Sequence, residues 1–257
     1  MPGMLAEPPP TQYDLRWRML GMPIRVHPLF WLVTLVFGWR GAAGRWDLIL
    51  AWIGCVFVSI LVHEFGHALV ARACGATGVR VVLYAMGGLA IHEGGTRRWQ
   101  RIVELLMGPG AGFLLAGLTL LVSSLVLPRL ETVPFIVHVI VMDLLLINIF
   151  WGIVNLLPVY PLDGGQVTWE VLDARRRRER RVLTHKISIG VALLVVAGAL
   201  GLDYGLHLAG DGWFPAILFG LLAFDNYRLM QVAKMPGWAG DEAPREPWEQ
   251  DPDWWKR

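Results

Sequence analysis

The sequence predicts an all-α polytopic membrane protein of about six transmembrane helices, with a small β-hairpin or sheet between the second and third spans. Composition is the first reason: of 257 residues, 55% are hydrophobic and 17% are charged, whereas soluble domains carry roughly 25% charged residues. The hydrophobic residues also gather into runs, several of them near the length of about 20 residues that a bilayer requires. Basic residues are concentrated in alternate connections between these runs. This combination excludes an ordinary soluble enzyme.

Six hydrophobic segments set the expected order of helices. They cover about residues 28–39, 48–73, 102–127, 133–157, 187–202 and 213–229. The first segment is short for a span, and it extends toward Ala43 if its boundary is drawn generously.

Residues of high β-propensity separate the second segment from the third. Val79–Tyr84 has the composition of one short strand, Gly87-Gly88 interrupts it, and Leu89–His92 resumes the pattern, which is typical of a hairpin. Arg16–Val26 also alternates, so we expect a strand there that joins the same small sheet.

The distribution of basic residues indicates the orientation. With the N-terminus in the cytosol, the cytosolic connections hold most of them: Arg16, Arg18, Arg25, Arg80, Arg97, Arg98, Arg101, the run 175–181 and Lys234. This bias predicts that both termini face the cytosol. The N-terminal residues lack the order of a signal peptide, so we expect a multi-pass protein of a prokaryotic plasma membrane. The basic run 175–181 is interpreted as a topology signal, and no nucleic-acid partner is expected.

Three regions of different composition predict the domain organisation. Residues 1–15 are rich in proline and are expected to be disordered. Residues 16–232 form the expected membrane core. Residues 233–257 combine tryptophan with acidic residues and are expected to be a disordered cytosolic tail.

A short polar motif lies inside the second hydrophobic segment. His63 and His67 are four residues apart, so on a helix they share one face and can hold one metal ion. Glu64 follows the first of them directly. Ionisable groups at membrane depth are costly and by default mark function. A purely structural polar network between helices is the alternative interpretation of these three residues.

A third metal ligand is predicted after the fourth segment. Asp163 follows an apolar run and precedes Gly164-Gly165, which permit tight backbone geometry. Two spans separate the end of the second segment from the end of the fourth, so both arrive at the same side of the membrane. We therefore expect His63, His67 and Asp163 to hold one zinc ion near the cytosolic side, with the fourth position left for water.

These residues together predict hydrolytic chemistry. Zinc would activate water, and Glu64 would take the proton and later pass it to the leaving amine. Asn155 is expected to donate a hydrogen bond to the substrate backbone or to the developing oxyanion. A substrate or cavity contact is also considered for Asn148, Gly87, Gly88 and Pro158. His92 is expected to be a solvated loop residue, and the glycines at 108, 110 and 112 to permit close helix packing.

Two motifs carry a resemblance to a known family. They are His63-Glu64-Phe65-Gly66-His67 and the pattern Asn155…Pro158…Pro161-Leu162-Asp163-Gly164-Gly165. In this order and on these segments they resemble the site-2 protease family of intramembrane zinc metalloproteases, in a minimal form without PDZ or CBS domains. The resemblance implies zinc ligands His63, His67 and Asp163, catalytic Glu64, and Asn155 near the scissile carbonyl. It also implies membrane-anchored protein substrates, often regulators of transcription, that are presented as a strand added to the hairpin.

Two other functional classes remain open from the residues alone. A membrane metal transporter also places histidine and aspartate in spans, but it leaves Glu64 and the pattern around Asp163 unexplained. A catalytically inactive membrane scaffold is the other class, and the intact Glu64 and ligand set argue against it. The expected partners are a membrane-anchored protein substrate and the lipid bilayer, and a regulatory partner is possible in principle.

Overall fold

The computed structural model describes residues 8–41, 44–85, 87–94, 97–172, 177–206 and 213–235. These residues are mostly helical and include one four-stranded sheet. The strands are β1 (Leu15–Met19), β2 (Met22–Val26), β3 (Thr77–Tyr84) and β4 (Gly87–Glu93). The helices are α1 (Pro28–Gly41), α2 (Trp46–Ala73), α3 (Arg98–Val126), α4 (Phe135–Leu156), α5 (Asp163–Val171), α6 (Arg177–Leu206) and α7 (Trp213–Lys234).

The predicted hydrophobic segments correspond to α1, α2, α3, α4, α6 and α7. Among the described residues, four stretches are long and apolar enough to cross a membrane: Trp46–Ala73, Arg98–Arg129, Phe135–Leu156 and Glu179–Leu202. Pro28–Trp39 is a shorter apolar helix. The mostly helical fold with a small sheet is thus confirmed, whereas the count of six spans stays a prediction.

The sheet has the order β1-β2-β3-β4. The predicted hairpin after α2 is present as the antiparallel pair β3 and β4, and β2 joins it in parallel through Ile24 opposite Val81. The stretch 16–26, expected as one strand, is in fact two antiparallel strands. Leu20 and Gly21 have φ of 54° and 79° at the turn between them, and positive φ at both central residues is what a two-residue hairpin turn requires.

One face of the sheet and α2 enclose the apolar core of this region. Alternate residues of the strands point into it, as the two-residue period of a strand dictates. The buried members are Met22, Ile24, Val26, Phe30, Val56, Ile60, Leu61, Phe65, Ala68, Val79, Val81 and Leu83. The second half of α2 is therefore fixed against the sheet.

The connection from α2 to the sheet is a compact helix cap. Gly75 adopts φ of 91°, and the backbone N–H of Ala76 donates to the carbonyl of Ala71 at 3.0 Å. This six-to-one bond with a left-handed glycine ends a helix without leaving its last carbonyls unpaired. The chain enters β3 two residues later.

Helix α5 was not among the predicted elements. Helix α4 ends at Leu156, and Leu157 is extended with ψ of 138°, the conformation that a residue before proline prefers. The irregular chain then runs through Pro158 and Pro161 before α5 begins at Asp163. The predicted aspartate is therefore the first residue of a helix rather than part of a loop.

The chain divides into two compact units. One comprises residues 1–157 and 161–170, and it contains the sheet and α1–α4. The other comprises residues 158–160 and 171–257, where Asn226 Nδ2 donates to the Tyr160 carbonyl and Ser188 Oγ accepts from the Tyr160 N–H at 2.9 Å. The predicted division at residues 1–15, 16–232 and 233–257 stays a prediction, and residues 1–7 and 236–257 of its two terminal segments lie outside the described residues.

Helices α2 and α3 approach each other closely at Gly66. A Cβ atom on this glycine would lie 2.1 Å from the carbonyl oxygen of Met107 in α3. Since that neighbour is backbone, it cannot move away without displacing the helix. The absence of a side chain at position 66 therefore sets the spacing of the two helices.

We expect Gly66→Ala to lower the thermal unfolding midpoint in detergent, because forcing the helices apart costs about 1–3 kcal/mol or more. Gly54→Ala in the same helix is the matched control, since a Cβ there meets no atom within 4 Å among the described residues and alanine favours the helix by ~1 kcal/mol. Equal midpoints for the two variants would contradict the proposed packing.

Candidate metal centre

Two histidines on one face of α2 form the first part of the site. His63 and His67 are separated by about one helical turn, and both side chains are buried. Their Nε2 atoms lie 3.2 Å apart. Both rings therefore point to the same place, as the four-residue spacing predicts.

Asp163 completes a cluster of three donor atoms. Its Oδ2 lies 3.2 Å from His63 Nε2 and 3.4 Å from His67 Nε2. A Cβ on Gly164 would lie 2.1 Å from the carbonyl oxygen of Leu156, so the start of α5 folds tightly back onto the end of α4. This turn brings Asp163 to α2 across 100 residues of sequence.

The Asp163 carboxyl is held in its ionised form. Burial raises its pKa, but hydrogen bonds with His63 and His67 and the charges of these rings lower it more, to about 2. At neutral pH the cluster therefore contains a carboxylate, which is the form that binds metal ions.

The orientation of His67 is set by a backbone carbonyl of α3. His67 Nδ1 lies 2.8 Å from the carbonyl oxygen of Glu104. Because a carbonyl oxygen only accepts hydrogen bonds, Nδ1 is a protonated nitrogen. Nε2 then donates to Asp163 when the ring is charged, and it keeps its lone pair when the ring is neutral, the form that binds a metal. The lone pair is thereby directed into the cluster, the usual arrangement for a histidine that binds a metal.

The donor set fits zinc. With bonds of about 2.0–2.2 Å, the donor atoms around a tetrahedral zinc ion lie roughly 3.3–3.6 Å apart, close to the observed 3.2–3.4 Å. Among the described residues, this is the one group of three or more histidine, cysteine, aspartate or glutamate side chains arranged to hold a metal ion.

Glu64 lies beside the donor cluster and contacts strand β4. Its side chain is 5% exposed, and the backbone N–H of Ala90 donates to its carboxylate. A Cβ on Gly88 would lie 2.3 Å from Glu64 Cγ, so a glycine in β4 leaves the room that the glutamate occupies. Gly87 has no atom within 4 Å of such a position among the described residues.

The two asparagines of α4 differ in their contacts. Asn155 is 8% exposed, and its Nδ2 has no hydrogen-bond partner among the described residues. Asn148 Nδ2 donates to Ser59 Oγ at 2.8 Å and therefore links α4 to α2. Pro158 belongs to the second compact unit. The predicted roles of Asn148, Gly87, Gly88 and Pro158 in contacting substrate or lining the cavity stay predictions.

Sequence reasoning missed two residues beside the site. His92 was expected to be solvated, but it lies on β4 with Nε2 3.0 Å from Glu104 Oε1, so that expectation is wrong. Glu104 was not singled out, although a glutamate within an apolar segment is costly and indicates a functional residue by default. The close packing predicted for Gly108 is present, and its partner is the His67 ring: a Cβ would lie 2.1 Å from Nε2.

Comparison with known proteins gives a consistent result. The family model for Peptidase family M50 matches residues 51–140 and 131–197. The putative zinc metalloprotease sll0528 of Synechocystis sp. is 30% identical over 226 residues, which cover 81% of this chain and 57% of that protein. The putative zinc metalloprotease Rip3 of Mycobacterium tuberculosis is 29% identical over 220 residues, or 77% of this chain and 55% of that protein. The chain thus spans about half the length of these relatives.

A solved structure shares the fold. The site-2 protease from Methanocaldococcus jannaschii superimposes with a TM-score of 0.56 at 22% sequence identity, over 85% of this chain and 95% of that one. At this identity the likeness speaks for the fold alone.

We expect Gly108→Ala to weaken zinc binding by roughly 10- to 100-fold, the usual cost of disturbing a ligand's support, because the added methyl group displaces the His67 ring. Zinc affinity measured by competition with a chelator tests this. Gly110→Ala is the control, since among the described residues its Cβ meets only Met107 Sδ, at 3.8 Å. Wild-type affinity in Gly108→Ala would refute the placement of His67.

We expect Gly88→Ala to keep zinc and to lose turnover, because the methyl group displaces the flexible Glu64 side chain and not the three donor atoms. The measurement pairs zinc content with kcat on a single-span test substrate. Loss of zinc, or an unchanged kcat, would contradict the contact between β4 and Glu64.

Proposed function

The chain belongs to Peptidase family M50, and from this premise we propose that it is an intramembrane zinc endopeptidase that cleaves membrane-anchored proteins in or near their transmembrane segments. Its four long apolar helices support a membrane location. The names of its relatives support zinc as the cofactor.

The observation that carries the proposal is the convergence of three buried donor atoms. His63, His67 and Asp163 would hold one zinc ion per chain, since their donor atoms are spaced as tetrahedral ligands are. When bound, zinc supplies Lewis-acid chemistry, in which it polarises a peptide carbonyl and makes water a nucleophile near neutral pH.

Glu64 is proposed to be the general base. It follows a ligand directly in α2, it is buried, and the Ala90 N–H holds its carboxylate. In this position it would accept a proton from the attacking water and donate it to the departing amine.

Asn155 is proposed to bind the substrate backbone. A buried amide with an unpaired donor costs free energy, and the cost is recovered if a carbonyl oxygen of the substrate accepts from Nδ2. The same donor would stabilise the oxyanion that forms as water attacks.

The substrate strand is proposed to add to β4. No described strand pairs with the free edge of β4, and its Gly88 and Ala90 contact Glu64. An unwound substrate segment that extends the sheet there would bring a peptide bond toward the base. The bilayer is the second expected partner, and the active site and both termini are proposed to face the cytosol of a prokaryotic cell.

We expect Glu64→Gln to retain about one zinc per chain and to lose cleavage by roughly 10²- to 10⁴-fold, the usual contribution of a positioned base. Zinc analysis and cleavage of single-span substrates by the purified protein in detergent test this. Asp163→Asn is the companion variant, and it is expected to lose zinc. A metal transporter or an inactive scaffold would show no cleavage in the wild type and no selective effect of Glu64→Gln.

A further inference from the structure

Glu104 is a buried carboxylate that the proposed reaction does not use. It lies on α3 about one turn before Gly108 and is 2% exposed. Its Oε1 accepts hydrogen bonds from Arg101 and from His92 Nε2. Its Oε2 has no hydrogen-bond partner among the described residues. A charge buried at this cost calls for a role that depends on it.

Glu104 is connected to three elements, each of which carries one part of the candidate site. Its backbone carbonyl accepts from His67 of α2 at 2.8 Å. Its side chain accepts from His92 of β4 at 3.0 Å. Arg101, which donates to the same carboxylate, also donates to Gln166 Oε1 of α5 at 3.1 Å.

The three connections reach the two histidine ligands, the aspartate ligand and the strand that contacts the proposed general base. Helix α2 contributes His63 and His67, and α5 begins at Asp163, three residues before Gln166. Strand β4 contributes the Ala90 N–H that holds Glu64, two residues before His92. Among the described residues, Glu104 is therefore the point of α3 at which ligands and general base are tied together.

We propose that Glu104 is a positioning residue for the metal centre, with His92 as its link to the general base. This inference rests on the proposed function. The Glu104 carboxylate is not part of the donor group formed by His63, His67 and Asp163, and it acts by fixing the elements that carry these donors and Glu64.

The physical reason is the low tolerance of a metal site to displacement. Ligand atoms must lie within about 0.2 Å of their ideal distances, and elements that pack only through apolar side chains slide past one another more easily than elements joined by buried polar bonds. Helix α3 also contains Pro109, which removes one backbone hydrogen bond from this turn. The hydrogen bonds of Glu104 and Arg101 to β4 and α5 stabilise this part of α3 through contacts outside the helix.

Substitutions of Glu104 and of His92 are expected to have different effects. The backbone carbonyl that orients His67 remains whatever the side chain at position 104. Loss of the Glu104 charge therefore acts on metal binding through Arg101, which also holds Gln166 of α5, the helix that begins at Asp163. Loss of the His92 ring releases β4 and acts on Glu64, so it lowers turnover more than metal affinity. A side chain that merely stabilised the fold would shift both properties together with the unfolding midpoint.

The experiment titrates metal-free full-length protein in detergent with Co²⁺ and records the visible absorption bands, which report ligand geometry, together with zinc affinity and kcat on a single-span substrate. For Glu104→Gln we expect zinc affinity to fall by roughly 10- to 100-fold, with altered cobalt bands. For His92→Ala we expect near-normal cobalt bands and a lower kcat. Glu131→Gln and His138→Ala, both at exposed positions, are the matched controls.

Wild-type affinity and bands in Glu104→Gln would overturn the proposal. If Glu104→Gln does not fold, His92→Ala decides, and a wild-type kcat in that variant would overturn the proposal as well. The experiment distinguishes a failure of the proposed function from a failure of the role proposed for Glu104. A wild type that binds Co²⁺ but cleaves nothing counts against the proposed function, while the cobalt titration of Glu104→Gln still decides the role of Glu104.

Discussion

The burial of ionisable side chains in an apolar helix is the constraint on which the rest of the structure depends. Helix α2 carries two imidazoles and a carboxylate at positions that are less than 10% exposed, and groups of this kind are costly unless their polar atoms are satisfied. The Asp163 carboxylate pairs with the two Nε2 atoms. The Glu104 carbonyl accepts a hydrogen bond from His67 Nδ1, and the Ala90 N–H donates one to Glu64. The partners come from α5, α3 and β4, so these elements must converge on one half of α2.

Glycine is what allows this convergence. Added Cβ atoms would lie within 2.1–2.3 Å of a neighbour at Gly66, Gly88, Gly108 and Gly164. Two of these neighbours are backbone carbonyls, and the other two are the side chains of His67 and Glu64. The same residue type thus serves both the spacing of helices and the room around functional groups. A site assembled from several elements needs such close approaches, because its donor atoms must meet within a few ångströms.

The parts of the site that sequence could predict are those set by local periodicity and by the number of hydrophobic segments between the two motifs. Four-residue spacing puts His63 and His67 on one face whatever surrounds them, and the apolar runs define the helices. The tight turn at Leu20-Gly21 was missed because the alternating sequence pattern continues through it. One long strand and two short strands joined by a turn have the same pattern. The pairing of His92 with Glu104 has no sequence signal either, since it depends on how closely β4 approaches α3.

Helix α5 also shows that tertiary contacts fix details that the sequence pattern does not predict. Prolines at 158 and 161 were correctly interpreted as the end of regular helix, and Asp163 as an acidic group brought near the histidines. That a helix begins at the aspartate itself follows from the contact of Gly164 with the end of α4, which is a tertiary feature.

The parallel pairing of β2 with β3 has a consequence for biosynthesis. Ile24 can meet Val81 only after the intervening helices α1 and α2 have been synthesised, because a parallel pair requires a crossover connection. Asp163 reaches His63 across a further stretch of chain, 100 residues in all. A nascent chain that emerges from its N-terminus therefore carries two histidines without their carboxylate partner while α3 and α4 are being made. The three donor groups of the candidate metal centre are therefore all present only after the chain beyond α4 has been synthesised.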